Sequence, residues 1–477
     1  MSDRRILRMA STGARVLAGA LVSAVFVTAV VTAVAIPWPT HTQAPVQVTA
    51  QPAPASTVVV CGGPLLALGR NASNAAALSV AATQSLAVGV PDGDPAPTES
   101  TLAVPDARGA GPTVLTAAPQ DGVRSEVAGA GSASVQASDL AGLAASSCQS
   151  PRMESWLVGG ATTTGASDLV LLANPGAVAA TVDLTVYGAL GAQVPPGGRG
   201  VVIPPASERV LPLAGLILGE QAPVVHVEAS GAPVRAALQT SLTRTLVPGG
   251  VDQVSAVSSA DKLQIIPGVA VIAQAAQTST DNPTTVLRVL SPLADATATV
   301  TVVGSTGATE LTQKIPLKAG LPAELELAGL PAGVHTVRVA ADQRIVSAVW
   351  STTGFGQGAD FAWYPAAPEI AASTLFAVPA GPSSVLSIAN PGTAPVAVKL
   401  TPVGGAVRSV TIPAGRAVDV PVSPLATYTL DPQGGAKVRA TISYSRVGGS
   451  GTTGDALAAI PVWPSDAAAH GIVVYPG

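Results

Sequence analysis

The sequence predicts an all-β protein, made of tandem immunoglobulin-like β-sandwich domains that follow one N-terminal transmembrane helix. Three observations carry this prediction. The chain of 477 residues contains 49 Gly and 42 Pro, which divide it into short apolar runs rather than long helices. Many of these runs alternate with a period of two, which is typical of half-buried strands. One uninterrupted apolar stretch near the N-terminus is long enough to cross a bilayer.

The composition excludes two classes of protein. Hydrophobic residues make up 48% of the chain and charged residues only 11%, which excludes disorder caused by low hydrophobicity. The formal net charge of -4 provides no basic surface, so we expect no nucleic-acid partner. Aromatic residues make up 3%, so Ala, Val and Leu should fill the cores. The length suits about three or four domains.

The first residues predict the compartment. Residues 1–15 form a basic, cytoplasmic N-terminus with one acid, Asp3, and four arginines: Arg4, Arg5, Arg8 and Arg15. Residues 16–36 are apolar and form either a transmembrane anchor or a signal segment, since Ala33-Val34-Ala35 resembles a cleavage site. The run exceeds the ~7–15 apolar residues of a signal peptide, which favours an uncleaved single-pass anchor. The bulk is extracytoplasmic in both cases, and secreted if cleavage occurs near Ala35.

A stalk and a disulfide-closed domain are predicted next. Residues 37–56 contain a proline every few positions, which favours a semi-rigid polyproline II stalk. The chain has two cysteines, Cys61 and Cys148, and in an extracytoplasmic chain they are predicted to form one disulfide. This bond would close a β domain at residues 57–152. Neither cysteine has a partner at metal-ligand spacing, so we expect no metal site.

Three later stretches repeat one order of elements, and each is predicted to be an immunoglobulin-like sandwich. They comprise residues 153–259, residues 260–368, and residues 369–477 including a short tail. Each stretch begins with two apolar strands around a turn, continues with a short strand beside a proline, and ends with a strand pair. Glycine-rich hairpin loops are predicted within these final pairs, at residues 248–250, 354–358 and 448–454.

The opening turn is the most regular feature of the repeat. Asn-Pro-Gly occupies residues 174–176 and 390–392, and the middle stretch has Leu-Ser-Pro at residues 290–292. Proline presets φ at the first central position of a turn, and glycine accepts the positive φ required at the next. The tripeptide therefore predicts a type II turn and a local hairpin. The turns lie about 100 residues apart, a spacing of domains rather than of solenoid repeats.

Candidate catalytic and metal-binding residues are sparse. The four histidines are His41, His226, His335 and His470, of which His226 has an acid, Glu228, two residues away and is predicted to form a surface pair with it. Residues 259–262 match the Ser-x-x-Lys pattern of penicillin-binding enzymes, but the companion boxes are missing and the match falls in a predicted linker. Asp92-Gly93-Asp94 is predicted to be a solvated turn. We predict no catalytic, cofactor or metal residues and no enzymatic activity.

Carbohydrate binding is the alternative. Five large aromatic residues lie near the ends of the repeated stretches, where we expect them to close the sandwiches: Trp156, Trp350, Trp363, Tyr364 and Trp463. Trp363 and Tyr364 are the pair predicted to contact a glycan. This alternative predicts that the exported part of the chain is retained on purified envelope glycans, and that replacing both residues by Ala abolishes retention.

One segment carries a family resemblance. The sequence CQSP at residues 148–151, WLVGG at 156–160 and the leucine-rich strand that leads into residues 174–176 resemble an uncharacterised family of actinobacterial exported proteins of unknown function. The resemblance covers nearly the whole chain, including the N-terminal apolar segment. Such proteins tend to be encoded near envelope glycosyltransferases, which implies work in the cell envelope and a glycosyltransferase-associated partner. It implies no catalytic residues.

The predicted function is that of a non-enzymatic, membrane-anchored extracytoplasmic protein. Its role would be structural or accessory, with β-sandwich surfaces presented to a protein or glycan partner of the cell envelope. A module that binds cell-wall polysaccharide is the alternative, and an enzyme that processes envelope glycans ranks third.

Overall fold

A computed structural model describes most of the chain: residues 3–35, 48–50, 54–71, 73–74, 77–109, 111–273, 283–448, 454–465 and 472–474. Apart from one N-terminal helix and two short 3-10 turns, the regular structure in these residues is β-strand. The prediction of all-β, sandwich-like domains after one N-terminal helix is confirmed.

The helix, α1, comprises Asp3–Ala35. Its segment Thr12–Ala35 has 24 residues and a mean hydropathy of 2.3, so its length and composition suit a membrane span. The hydroxyls of Thr28 and Thr32 each donate a 2.7 Å hydrogen bond to a carbonyl one turn earlier, which satisfies these polar groups inside an apolar helix. A three-residue strand, β1 (Val48–Ala50), follows.

The N-terminal unit (residues 57–152) contains nine strands in three small sheets. In chain order they are β2 (Thr57–Val60), β3 (Leu65–Ala67), β4 (Leu78–Ala82), β5 (Ser85–Gly89), β6 (Thr98–Thr101), β7 (Ala107–Arg108), β8 (Thr113–Ala117), β9 (Ala128–Gln136) and β10 (Ala141–Ser147). The sheets have the orders β10-β9-β5, β2-β8-β6 and β3-β4-β7. Cys61 follows β2, Cys148 follows β10, and the two form the predicted disulfide, which joins the start of the unit to its end.

Sandwich 1 (residues 153–259) consists of two sheets. Its strands are β11 (Glu154–Val158), β12 (Leu169–Asn174), β13 (Ala180–Gly188), β14 (Gly191–Gln193), β15 (Val201–Ile203), β16 (Ser207–Pro212), β17 (Val224–Ser230), β18 (Arg235–Arg244) and β19 (Val247–Ser255). One sheet has the order β11-β17-β13-β14, with β15 also paired to β13, and the other has the order β16-β12-β18-β19. Short 3-10 turns occupy Pro196–Gly198 and Leu213–Gly215.

Sandwich 2 (residues 260–368) has one long strand that belongs to both of its sheets. Its strands are β20 (Asp261–Val271), β21 (Thr285–Leu290), β22 (Ala296–Gly304), β23 (Thr309–Leu317), β24 (Ala323–Glu326), β25 (Gly333–Thr352) and β26 (Phe361–Pro365). The first half of β25 pairs with β20 and β22. Its second half pairs with β21 and β26.

Sandwich 3 (residues 369–465) again has two separate sheets. Its strands are β27 (Thr374–Ala377), β28 (Val385–Ala389), β29 (Val396–Pro402), β30 (Arg408–Ile412), β31 (Ala417–Pro421), β32 (Thr427–Pro432), β33 (Arg439–Arg446) and β34 (Ala456–Pro461). The sheet orders are β27-β32-β29-β30 and β31-β28-β33-β34.

The same strand pairings occur in all three sandwiches. The strands are lettered A to H in chain order, and β14 and β15 of sandwich 1 share the position D. Strand A pairs with F, C with D and F, B with E and G, and G with H. In sandwich 2 the long strand β25 supplies both F and G. The B–E and C–F pairs are those of an immunoglobulin sandwich, whereas G lies beside B rather than beside F.

The N-terminal unit follows the same scheme in part. Its strands β2, β5, β6, β8, β9 and β10 take the positions A, B, C, F, G and H. They make the A–F, C–F, B–G and G–H pairs. Its sequence does not show this relationship, because the Asn-Pro-Gly turn and the proline-flanked short strand are missing from it.

The four units of residues 53–469 close into a ring. Val60 and Val114 of the N-terminal unit pack on Ala173 of β12. Strand β11 contacts β25, β20 packs on β28 and β33, and β27 packs back on β5 and β9 of the N-terminal unit. The four H strands β10, β19, β26 and β34 contact one another in that order around the centre, and β34 contacts β10. Strands β12 and β21 are buried at every residue, as expected for strands covered on both faces.

The prediction of a type II hairpin at Asn-Pro-Gly is wrong. Strands β12 and β13, which flank residues 174–176, do not pair with each other but belong to opposite sheets. Neither Gly176 nor Gly392 has a positive φ. Each instead donates its N–H to the side-chain oxygen of the asparagine two residues earlier, at 2.9 Å, which is an Asx turn.

The asparagine of this turn is a buried clamp between the two sheets. The amide nitrogen of Asn390 bonds to the carbonyl oxygens of Ala394 at 2.8 Å, Ile412 at 3.1 Å and Pro413 at 3.2 Å. Asn174 makes the same three contacts with Val178, Ile203 and Pro204 at the same distances. The Ile-Pro segment of the predicted short strand is thereby tied to the turn. In sandwich 2, Ser291 makes one such bond, to Ala294 at 2.6 Å.

The predicted hairpin loops and the predicted linker at residues 259–262 differ in part from the structure. Residues 248–250 lie inside β19, so the β18–β19 loop is Thr245-Leu246 rather than the glycine-rich segment. Strand β20 begins at Asp261, so the Ser-x-x-Lys match enters a strand rather than remaining in a linker. Residues 354–358 do connect β25 to β26. Most of residues 448–454 lies outside the described residues.

The predicted stalk and tail meet in one small sheet. Residues 36–47 and 51–53 of the stalk lie outside the described residues. Val48–Ala50, predicted as polyproline II, is instead the strand β1 and pairs antiparallel with β35 (Ile472–Val474) of the C-terminal tail. Val48, Thr49 and Val473 are β-branched, which favours a strand over an extended spacer.

Replacing Asn390 tests the clamp. We expect Asn390→Ala to lower the free energy of unfolding by about 1–3 kcal/mol, because buried carbonyls and one N–H lose their partner. Asn390→Asp should be at least as destabilising, since a carboxylate can accept from Gly392 but faces three carbonyl oxygens. Ser291→Ala, which removes one bond, should cost about 1 kcal/mol. Urea denaturation measures all three, and an Asp variant as stable as wild type would contradict the clamp.

Candidate functional site

One carboxylate lies where the four H strands meet. Asp360 is fully buried, and its Oδ2 accepts hydrogen bonds from the N–H of Leu143 in β10 at 2.9 Å and of Leu457 in β34 at 3.1 Å. Its Oδ1 accepts from Phe361 in β26 at 3.0 Å and from Val251 in β19 at 3.4 Å. A single side chain therefore contacts all four units of the ring.

A second buried carboxylate, Asp252, supports the first. Its Oδ2 accepts the N–H of Trp363 at 2.8 Å, and its Oδ1 accepts the N–H of Gln253 at 2.8 Å, so it joins β19 to β26. Gly142 and Gly250 have positive φ values of 142° and 125°, and a Cβ at either position would collide with the Asp360 carboxylate. The backbone reaches the carboxylate only because both residues are glycine.

The surroundings of these carboxylates determine their protonation. Burial raises the pKa of Asp360 to about 8, although its four N–H donors oppose the rise. Burial also raises the pKa of Asp252 well above its usual range, and the nearby Asp360 charge adds to this effect. Perturbed pKa values often mark catalytic sites. Here both groups are enclosed and bound to backbone, so what the pair does is hold strands together.

A cleft of about 280 Å³ lies between sandwich 1 and sandwich 2. Its floor is the sheet face of sandwich 2, and its roof is the loop after β11 together with strand β18. The polar and aromatic residues that line the cleft include Asp168, Arg244, Arg288, Glu324, Trp350 and Trp363. This cleft combines aromatic walls with charged side chains, and so it is the candidate binding site.

Arg288 joins the two walls of the cleft. Its Nη1 donates to the carbonyls of Gly160 and Pro223 in sandwich 1, both at 2.9 Å. Its Nη2 donates to the carbonyl of Gln221 at 3.2 Å, and Nε and Nη2 both donate to Glu324 of sandwich 2, at 3.1 and 2.9 Å. Every N–H group of the guanidinium has a partner, so Arg288 is a structural clamp.

Asp168 is engaged in the same way. It is 5% exposed, and its two carboxylate oxygens accept the N–H groups of Ala161 at 2.6 Å and Ser241 at 2.9 Å. Burial raises the pKa of Asp168 to about 7, with the charge of Arg288 acting in the opposite direction. These bonds fix the loop after β11 against β18 and so shape the roof of the cleft.

Trp363 and Tyr364 do not offer a surface on which a sugar could stack. Tyr364 is fully buried, and burial raises the pKa of its hydroxyl. Trp363 lines the cleft but is 5% exposed, and the Arg288 guanidinium lies 4.6 Å above its ring. Burial of both rings follows from the coverage of β26 on both of its faces. Replacing them by Ala would damage the core, so loss of glycan retention in that variant would not identify a contact.

The other aromatic residues occupy three different environments. Trp156 is buried in the core of sandwich 1, where its ring stacks on His226 at 4.0 Å. Trp350 is half-buried in the wall of the cleft. The Arg152 guanidinium lies 4.5 Å above the ring of Trp463. The expectation that large aromatic rings close the cores fits Trp156 best.

The histidines form carboxylate pairs in separate sandwiches. His226 Nε2 lies 3.0 Å from Glu154, and Nδ1 lies 4.0 Å from Glu228, the predicted surface partner. His335 is buried, with Nε2 at 2.7 Å from Glu310. His41 and His470 lie outside the described residues. Among the residues that the structure describes, no group of three metal-ligating side chains occurs.

The Ser-x-x-Lys match is not assembled as a catalytic pair. The carbonyl of Ser259 accepts the amide of Gln264 at 3.1 Å, and the N–H of Lys262 donates to Asp261 at 2.6 Å. In the described structure no hydrogen bond joins the Ser259 hydroxyl to the Lys262 amine. The motif continues into a strand, whereas the enzymes need a helix under the serine. Asp92 and Gly93 form the predicted turn, closed by Asp94 N–H to Pro91 carbonyl at 3.1 Å.

Sequence reasoning missed the side chains that join the units. Asp360 directly precedes the last strand of sandwich 2, Asp455 directly precedes that of sandwich 3, and Asp252 lies within the last strand of sandwich 1. This recurrence of one acid among apolar strands was the available signal. No such signal exists in the sequence for Arg288 and Asp168, because most of their partners are backbone groups.

Comparison with known proteins gives a family and nothing more specific. The model of a family of unknown function (DUF5719) matches residues 103–423, which is more than half of the chain. No curated protein and no solved structure matches the chain. The matched segment begins in the N-terminal unit, includes sandwiches 1 and 2, and ends in sandwich 3. It therefore spans parts of all four units of the ring.

The buried carboxyl groups predict how stability depends on pH. The pKa values of Asp168, Glu208 and Asp360 are raised by burial to about 7, 7 and 8, against about 4 in the unfolded chain. Between pH about 4 and about 8 the folded state therefore binds more protons than the unfolded state. The free energy of unfolding is highest below pH about 4 and falls as the pH rises toward about 8. Each of the three carboxyl groups lowers the free energy of unfolding by up to about 1.4 kcal/mol per pH unit over this range.

Urea denaturation of the full chain at a series of pH values between these limits measures the slope. Asp360→Asn removes one titrating group, so the variant should be less stable throughout but should show a shallower slope. Equal slopes in the wild type and the variant would contradict this account of Asp360.

Proposed function

The chain belongs to the DUF5719 family of unknown function, and we propose that it is a non-enzymatic, membrane-anchored structural or accessory protein of the cell envelope. In this role the ring of four units lies outside the cytoplasm and presents its exposed β surfaces and loops to an envelope partner. The observation that carries the proposal is the use of its buried charged groups: Asp360, Asp252, Asp168 and Arg288 bind backbone of neighbouring strands and units.

Two features support the location. The segment Thr12–Ala35 is long and apolar enough to cross a membrane, and arginines precede it on the side expected to be cytoplasmic. The Cys61–Cys148 disulfide suits an oxidising compartment outside the cytoplasm.

The internal organisation supports a structural role. An enzyme needs titratable groups that reach a substrate. In this chain Asp252 and Asp360, whose pKa values are strongly raised by burial, are enclosed and accept N–H groups of the backbone. The ring they stabilise is a large, pre-organised scaffold, and such a scaffold binds partners without a cost of ordering its surface.

Cell fractionation tests the anchor. We expect the full-length protein in the membrane fraction, with sandwiches 1 to 3 digested by protease added to intact spheroplasts. Deletion of residues 3–35 should abolish both export and membrane association, because the only described segment that can span the bilayer is lost. A full-length protein that stays in the cytosol with a reduced Cys61–Cys148 pair would contradict the proposal.

Site-specific photocrosslinking in intact cells tests the scaffold role. Leu190 is 86% exposed at the tip of the β13–β14 hairpin, and Leu218, Leu246 and Leu293 are exposed to similar degrees on other loops. We expect a photoreactive residue at one or more of these sites to give a discrete adduct, and none at Leu184, which is fully buried in the same β13. The absence of adducts from all four exposed sites, or turnover of envelope glycans by the purified protein, would overturn the proposal.

A further inference from the structure

One part of the cleft between sandwiches 1 and 2 is not used by the contacts that join them. Arg288 and Asp168 occupy one end of the cleft and are fully bonded there. The other end is lined by Arg244 from the end of β18, Phe355 from the β25–β26 loop, and Trp350 from β25. All three side chains are half-buried, so they are held in place and still reachable.

Arg244 is an unpaired cation at this end of the cleft. Its guanidinium carbon lies 4.7 Å above the ring of Phe355, and no carboxylate of the described residues lies within ion-pair distance of it. Its Nη1 is buried and has no hydrogen-bond partner in the described structure. Burial lowers the pKa of Arg244, although the group remains charged at neutral pH. A buried, unpaired N–H of a cation is costly, and an anion in the cleft would relieve that cost.

A second polar group is also unsatisfied. Thr240 lines the same cleft four residues before Arg244 in strand β18 and is 2% exposed. Its hydroxyl has no hydrogen-bond partner among the described residues. A hydroxyl can both donate and accept, so it suits a ligand that itself carries hydroxyl groups.

The remaining wall is aromatic and apolar. The ring of Trp350 lies 6.1 Å from that of Phe361, and Val286 is its neighbour on the paired strand β21. Trp350 is the least covered tryptophan of the cleft, since the Arg288 guanidinium covers Trp363. An aromatic face of this kind binds the apolar face of a flat or puckered ring.

We propose that this end of the cleft binds a sugar that carries a carboxylate. The sugar ring would pack on Trp350, its carboxylate would pair with Arg244, and a ring hydroxyl would reach Thr240. The anion is assigned to Arg244 because its buried Nη1 has no hydrogen-bond partner among the described residues. A volume of about 280 Å³ lies at the small end of ligand pockets and suits one sugar residue rather than a chain.

The sugar site is independent of the scaffold role proposed above. The scaffold proposal depends on the buried groups that join the units and on exposed loops. The sugar site depends on Arg244, Thr240 and Trp350, none of which joins the units through a hydrogen bond. Loss of the sugar site would leave the scaffold proposal standing, and the reverse also holds.

Binding of glucuronate to the full-length protein in detergent tests the site. Binding is measured by calorimetry and by the fluorescence change of Trp350. Two comparison ligands are used: glucose, a neutral sugar, and benzoate, a carboxylate without a sugar ring. We expect saturable binding of glucuronate and no saturation by glucose at about 10 mM, because a neutral ring forgoes the ion pair. Arg244→Leu should weaken glucuronate binding at least about tenfold, as removal of a half-buried ion pair predicts.

Two variants make the assignment specific. Arg408→Leu removes an exposed arginine of sandwich 3 and should leave glucuronate affinity unchanged. Trp350→Phe keeps an aromatic ring but should remove most of the fluorescence response; thermal unfolding confirms that each variant is folded. Glucuronate binding that Arg244→Leu leaves intact, no binding by the wild type at about 10 mM, or benzoate binding tighter than glucuronate would each overturn the assignment.

Discussion

Four backbone N–H groups, one from each unit of the ring, point at the carboxylate of Asp360. Backbone donors on the outer side of these edge strands have no partner within their own sheet, and burying them unpaired would cost about 1–3 kcal/mol each. One carboxylate satisfies all four, because its two oxygens accept several bonds and carry negative charge. The units can therefore meet through their H strands without water between them. The glycines at 142 and 250 are part of the same constraint, since any larger residue would push the strands away from the carboxylate.

Closure of the ring also explains the unusual composition of the chain. The B strands, such as β12 and β21, are covered by their own sandwich on one face and by the neighbouring unit on the other. Positions that would be polar on a solitary sandwich are apolar here, so charged residues fall to 11%. Some of these buried charges are fully bonded, as Arg288 shows with three carbonyls of sandwich 1, whereas no nitrogen of the buried Arg235 guanidinium has a hydrogen-bond partner among the described residues.

Within each sandwich a second constraint acts at the Asn-Pro-Gly turn. Asparagine supplies an oxygen for the turn and an amide for the short strand on the opposite sheet, so one residue fixes both the loop and the distance between the sheets. Sandwich 2 replaces this network by the single bond of Ser291 and instead runs its F and G strands together as β25. Continuity of one strand through both sheets fixes their relative position in another way.

The sequence alone determined the all-β class, the N-terminal apolar segment, the Cys61–Cys148 disulfide, the final strand pairs and the recurrence of a marker at Asn174 and Asn390. These features depend on local periodicity, on turn chemistry or on having only two cysteines to pair, and each can be read within a short window. The sequence did not determine that the marker joins two sheets, that the N-terminal unit shares the pairing scheme, or that Trp363 and Tyr364 are buried. Nor did it reveal the roles of Asp360 and Arg288. Those features were decided by the tertiary structure, because the partners of these side chains are backbone groups and faces of distant segments, which leave no pattern in the order of the residues.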